Sequence, residues 1–104
     1  MDRRLRVAGV TRVNIAVKEN GNYRVKLHVM EPENLKAGQR VFDVALQGKT
    51  MLRDLDIAKA ATGARRAIVR EFSVTIKNKS LRIDLTPQGK NPPVLSGIEW
   101  HHKP

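Results

Sequence analysis

From residue 12 to residue 18 the chain alternates, with Val13, Ile15 and Val17 apolar and their neighbours polar. From residue 23 to residue 30 it does so again, Tyr23, Val25, Leu27 and Val29 interleaving with Arg24, Lys26 and His28. A period of two puts successive side chains on opposite faces of a pleated strand, one face turned to a core. Asn20-Gly21 lies between the two runs, and Asn-Gly is the strongest short-range hairpin signal. Residues 12–30 are therefore predicted to form a hairpin with one apolar and one basic face. Residues 31–38 read as a loop, since Pro32 withholds a ladder donor and Gly38 ends the excursion.

The next run sets Phe42, Val44 and Leu46 against Asp43 and Ala45, reverses at Gln47-Gly48-Lys49, and resumes with Met51, Leu52 and Leu55. A glycine at such a reversal supplies the positive φ that tight hairpin turns need. One short helix is expected near residues 57–61, with Asp56 as N-cap and Thr62-Gly63 as its end. Ile68, Phe72, Val74 and Ile76 then alternate with Val69, Glu71, Ser73 and Thr75. Asn78-Lys79 turns the chain into Leu81, Ile83 and Leu85, whose outward partners are Arg82 and Asp84. A loop rich in proline and glycine spans 86–93, and residues 94–100 form a closing strand. Leu5, Val7 and Val10 suggest a further edge strand. About seven short strands at near-regular spacing, with no strand–helix–strand alternation, predict an all-β antiparallel β-sandwich.

Four stretches carry a resemblance. They are Tyr23-Arg24-Val25-Lys26-Leu27-His28-Val29-Met30-Glu31, the hairpin opened by Arg40-Val41-Phe42-Asp43-Val44, the corner Asp54-Leu55-Asp56-Ile57, and Ser96-Gly97-Ile98-Glu99. In that order and spacing they resemble the malectin family of carbohydrate-binding domains. The resemblance covers about residues 20–100 and implies a jelly-roll-like β-sandwich with a non-catalytic binding role. It implies one domain over residues 1–104, shortened where the family carries a Gly-rich N-terminal strand and an Asp-containing loop. In the best-known member an aromatic pair after the first of these strands reads glucose; counted without gaps, those positions are Glu33 and Asn34 here. A family acid before the last strand falls at Lys90 or Asn91, and Glu31 matches the family's glutamate.

Composition narrows the chemistry. At 104 residues the chain suits one domain without staples, and with no cysteine it has no disulfide, thiol nucleophile or Cys-based zinc site. No apolar stretch follows the basic start, so no signal peptide is expected within this chain, and no run is long enough for a membrane span. The compartment stays open, although the resemblance implies an exported parent protein. Twenty Lys and Arg against ten Asp and Glu give a formal charge of +10. That charge allows weak polyanion contact, for which Arg12, Arg24, Lys26, His28 and Arg82 are the candidate face. The acids Asp43, Asp54, Asp56, Asp84 and Glu99 sit on separate elements, with no facing pair of the kind glycoside hydrolysis uses. In the family pattern that the chain resembles, Asp43, Asp54 and Asp56 look instead like turn and corner supports that accept backbone N–H groups. His101-His102 is expected to fray at the C-terminus, with no third metal ligand, and no cofactor is expected.

Sugars are held by aromatic faces and fixed polar groups. Of four aromatics, Tyr23, Phe42 and Phe72 fall on apolar strand faces, which leaves Trp100 as a stacking platform or as a cover for the core edge. The candidate carbohydrate-binding residues are Glu31, Glu33, Asn34, Asn91 and Trp100, on loops 31–38 and 86–93 and the last strand. The rival readings are a structural or protein-interaction sandwich that self-associates through an open sheet edge, and a weak polyanion binder.

Overall fold

The computed structural model describes residues 7–8, 11–31, 35–61, 67–89 and 91–103. Its elements are β1 (Val7–Ala8), β2 (Arg12–Ala16), β3 (Gly21–Met30), β4 (Val41–Leu46), β5 (Lys49–Asp56), α1 (Ile57–Ala60), β6 (Ala67–Ile76), β7 (Ser80–Pro87), β8 (Val94–Leu95) and β9 (Gly97–His102). They form an antiparallel β-sandwich. One sheet has the order β2-β7-β4-β5 and the other β6-β3-β9, with β1 and β8 as a short extra pair. The inward side chains predicted from period two fill the space between the layers. Val25, Phe42, Leu81, Ile83 and Ile98 are completely buried, and Leu27, Val44, Leu46, Ile76 and Leu85 nearly so.

The predicted hairpin of residues 12–30 does not form. β2 pairs with β7, and β3 pairs with β6 and β9 in the opposite sheet. A two-residue Asn-Gly turn would set Val17 opposite Arg24 and Ile15 opposite Lys26, joining the apolar face of one strand to the basic face of the other. The chain instead crosses between the layers, so both apolar faces meet in the core. Asn20 and Gly21 serve that crossing. The Asn20 side chain accepts from the Lys79 N–H at 2.7 Å and the Val17 N–H donates to the Lys79 carbonyl at 3.0 Å, which locks it to the neighbouring crossing from β6 to β7. Gly21 has a φ of +137°, and a Cβ there would lie 2.7 Å from His102 Nε2.

The Gln47-Gly48 reversal forms as expected. Both residues have positive φ, at 53° and 80°, which is the two-residue turn whose twist matches its flanking strands. Two irregularities in the β4–β5 register bring Leu55 opposite Phe42 and Leu52 opposite Val44. The helix is one turn, capped by Asp56, whose carboxylate accepts from the Lys59 N–H. Its predicted end at Thr62-Gly63 lies outside the described residues, as do Leu5 and Val10. The closing strand is interrupted at Ser96 and runs on through His101 and His102, which pair with Arg24 and Tyr23. The two histidines are thus ladder residues and not a frayed tail: the imidazole of His102 stacks on Tyr23, with ring centroids 4.7 Å apart and 21° between planes.

Candidate functional site

Three segments meet at one end of the sandwich: the chain leaving β3 at Glu31, the loop entering β4 at Arg40, and residues 91–93 entering β8. Glu31 is 0% exposed and Arg40 3%. The Arg40 guanidinium forks onto the carboxylate, Nε to Oε1 at 2.7 Å and Nη2 to Oε2 at 3.2 Å, and its Nη1 donates to the Pro92 carbonyl. A second tie runs from the Asn91 amide to the Gln39 carbonyl. The 35–40 loop is anchored in turn: Gln39 Oε1 accepts from the Lys36 N–H at 2.7 Å, and Asp56 accepts from the Gly38 N–H at 2.6 Å. One buried cation therefore holds two loops in fixed relation. Planar, bidentate pairing of this kind also sets orientation.

This placement changes the roles expected of the site residues. Glu31 is sealed from solvent, so it organises the loop end and touches no solute. Asn91 is half-buried at the loop surface. Glu33 and Asn34 lie outside the described residues, as does Lys90. Arg40 was missed as a site residue, although the signal was present. Inward positions on β3 are odd-numbered and on β4 even-numbered, so Glu31 and Arg40 both fall in the inward phase. A charge of each sign on core-facing positions points to a buried pair.

Trp100 is not brought to this end. It lies opposite Val25 on β9, six residues before Glu31 along β3, which at about 3.3 Å per residue is roughly 20 Å away. Its ring packs half-buried against the core. There it lines an open groove of about 450 Å³ with Ile15, Val17, Tyr23 and His102, between the edge strands β2 and β9. At the mouth His102 Nδ1 lies 3.2 Å from the Glu19 carboxylate, and the Tyr23 hydroxyl donates to the Glu19 carbonyl at 2.6 Å.

The expected basic face is two separate faces, because β2 and β3 belong to different sheets. Arg24 and Lys26 stand on the outside of the three-stranded sheet beside Glu71, at 3.6 and 3.8 Å, with His28 3.2 Å from Glu99. Arg12 and Arg82 stand on the outside of the other sheet and share Asp84, at 2.6 and 2.8 Å. Burial pushes the Asp84 carboxyl up, but the hydrogen bonds and charges of Arg12 and Arg82 outweigh it and hold its pKa below the ordinary value. Each basic cluster thus carries its own acid. Among the described residues there is no group of three or more His, Asp or Glu side chains that could hold a metal ion, and no helix long and apolar enough to cross a membrane.

Residues 11–99 match the family model of the malectin domain. The chain belongs to the malectin family. It is 44% identical over 78 residues to the Arabidopsis thaliana protein named "Probable LRR receptor-like serine/threonine-protein kinase At1g29720", covering 69% of this chain and 8% of that one. It is 35% identical over 88 residues to Receptor-like protein 4 of the same plant, covering 83% and 14%. This malectin domain therefore spans a small part of those relatives' length. Among solved structures it is similar to the extracellular domain of ANXUR2 from Arabidopsis thaliana, with a TM-score of 0.75 and 19% identity over 86% of this chain and 27% of that one. A β-glucuronidase from Bacteroides uniformis shares the fold over 99% of this chain and 11% of its own, with a TM-score of 0.80 and 16% identity. At such identities the likeness speaks for the fold alone.

The acids in the malectin domain's matching stretches serve the scaffold. Asp43 accepts from the Asp54 N–H at 2.8 Å and from the Gln88 amide, holding the irregular part of β5 and the end of β7 against β4. Asp54 takes a φ of 54° at that irregularity, and Asp56 caps α1. The expectation that Asp43 and Asp56 accept backbone N–H groups is met by these bonds.

Proposed function

We propose that this malectin domain acts as a single, non-catalytic binding module that contacts a glycan through the loops leaving β3 and entering β8. The observation that carries the reading is the Arg40 clamp. By holding Glu31 and the Pro92 carbonyl at once, it fixes two loops before any ligand arrives, which lowers the ordering cost of binding. Asn91 supplies a fixed amide at the surface, with Glu33 and Asn34 completing the hydroxyl-reading set. A non-catalytic role is supported by the state of the acids. Glu31, Asp43, Asp56 and Asp84 are each committed to an internal hydrogen bond or ion pair. Trp100 belongs elsewhere on the molecule and takes no part in this site.

The test is a glycan array followed by titration of each hit into the isotope-labelled chain. Saturable amide shifts should cluster at residues 35–40 and 88–91, survive 0.5 M salt, and vanish in Asn91→Ala but persist in Trp100→Ala. A shift map centred on β9, or no saturable hit, would overturn the reading. Intrinsic Trp fluorescence is a poor reporter here, because the indole is roughly 20 Å from the loops. A protein-interaction role is the second reading, favoured by the outer edge of β9, with which no strand pairs among the described residues.

A further inference from the structure

β9 pairs with β3 on one side, and among the described residues no strand pairs with its other side. The alternation of an antiparallel ladder says which groups point outward. The Lys103 N–H donates to the Asn22 carbonyl, so in this register His101 and Glu99 also turn their backbone groups toward β3. Ile98, Trp100 and His102 therefore direct theirs at the open edge. Natural sandwiches blunt such edges with proline, lysine or a bulge. β5 carries two irregularities, whereas β2, β6 and β9 contain neither proline nor lysine; of these, β9 (Gly-Ile-Glu-Trp-His-His) is the one whose groove-lining ring, Trp100, sits at the open edge.

We propose that this edge docks a second copy of the chain, β9 against β9 of the partner, in antiparallel register about a two-fold axis at Trp100. An isologous contact must be self-complementary, and this register is. It pairs outward-directed residues with outward-directed residues, Trp100 with its own counterpart and Ile98 with the counterpart of His102. It also sets Glu99 opposite the counterpart of His101, and the reverse, on the exposed face. An imidazole N–H donates to a carboxylate whether or not the ring is protonated, so that cross-strand pair is favourable in both states. On the inner side the two Trp100 rings extend over one another and close the grooves beside β2 and β9. The product is one continuous six-stranded sheet, β6-β3-β9 joined to its copy. This dimer is independent of the glycan reading, since it uses the sheet edge and not the loop end.

The chain has no cysteine, so single cysteines report the register directly. In the proposed pairing Glu99 and the opposed position 101 form a close, non-hydrogen-bonded pair with Cα atoms about 4.5 Å apart, whereas two copies of position 99 stand beyond the roughly 7 Å limit for a disulfide. Glu99→Cys and His101→Cys chains are mixed in equal amounts and oxidised in 0.5 M salt, which screens the +10 charge of each copy. The mixed disulfide should exceed either homodisulfide at least tenfold, a product separable by mass. The unaltered chain should move from the mass of one copy to that of two in sedimentation between about 1 and 300 µM. Val69→Cys, the exposed apolar position on the far edge strand β6, should cross-link at least tenfold less. A statistical product distribution, equal cross-linking through Val69→Cys, or a single-copy mass throughout would each overturn the proposal.

Discussion

Removing Arg40 should be among the most damaging single changes to this domain. Arg40→Met keeps the length of the stem but leaves the Glu31 carboxylate, 0% exposed, without its guanidinium. Breaking a buried pair from one side costs about 3–5 kcal/mol, because the remaining charge is closed off from water and has lost its counter-ion. A domain of this size is stable by about 5–15 kcal/mol, so the loss consumes about a fifth of the margin or more. At about 4–8 °C per kcal/mol the midpoint of thermal unfolding should fall by at least about 12 °C. Glu31→Met alone should be similarly harmful, whereas the double replacement should recover most of the loss. The double variant still leaves the Pro92 carbonyl without its Arg40 donor, about 1–3 kcal/mol. Urea and thermal unfolding followed by circular dichroism, arranged as a double-mutant cycle, measures each quantity. If Arg40→Met stays within about 1 kcal/mol of the parent, or if the two single losses simply add, the argument from burial is wrong.

Other changes test the remaining supports of the fold. Phe42→Ala removes a fully buried ring from the inward face of β4 and should cost about 3–5 kcal/mol by urea unfolding. Gly48→Ala meets open space apart from Arg82 Nη2 at 3.9 Å, so its cost should be the backbone strain alone, about 1 kcal/mol. Gly21→Ala adds displacement of the His102 ring to that strain; it should cost more than Gly48→Ala, and NMR should show the Tyr23–His102 stack broken. Asp84 has a folded pKa below its unfolded one, so its contribution to stability is complete above the unfolded value and is lost as pH falls through the folded value. Stability measured from pH 6 down through about pH 4 and below should therefore fall less steeply in Asp84→Asn than in the parent.

Strand positions were legible in the sequence because period two is a local signal. Pairing was not, because it is a relation between distant segments, yet part of it was decidable. Inward residues of β2 and β3 are all odd-numbered, so any pairing that keeps them on one face needs partner numbers summing to an even value. The two-residue Asn20-Gly21 turn forces an odd sum, and that conflict argues against a regular, bulge-free hairpin there. β4 and β5 show how a chain escapes such a constraint. Gln47-Gly48 also sets an odd sum, and irregularities in β5 then bring Leu52 and Leu55 onto the faces of Val44 and Phe42. No residue pattern announced those irregularities, since Asp54 at positive φ depends on a bond to Asp43 eleven residues away. The candidate site was half legible for the same reason. Its loops were marked by Pro, Gly and Asn, but the assignment of Trp100 to them failed because nothing local tells which end of the sandwich a strand residue approaches.

The residues that tie the chain to its family are in large part those the fold uses internally. Glu31 and Arg40 hold each other, Asp43 holds β5, Asp56 caps α1, and Ile98 is buried. A match at such positions reflects a demand of packing and hydrogen bonding that any ligand-binding variant of the scaffold must meet, so it carries fold without carrying specificity. In the proposed function, specificity rests on Asn91, whose amide is tied to the Gln39 carbonyl, and on the chemistry of Glu33 and Asn34. An acid and an amide there can accept and donate hydrogen bonds but cannot stack on a sugar ring. The proposed site should accordingly discriminate glycans by hydroxyl configuration and charge, with little gain from the apolar face of the sugar. Array hits that differ only at a single hydroxyl should differ in affinity by about fivefold or more, since an unmatched buried hydrogen-bonding group costs about 1–3 kcal/mol.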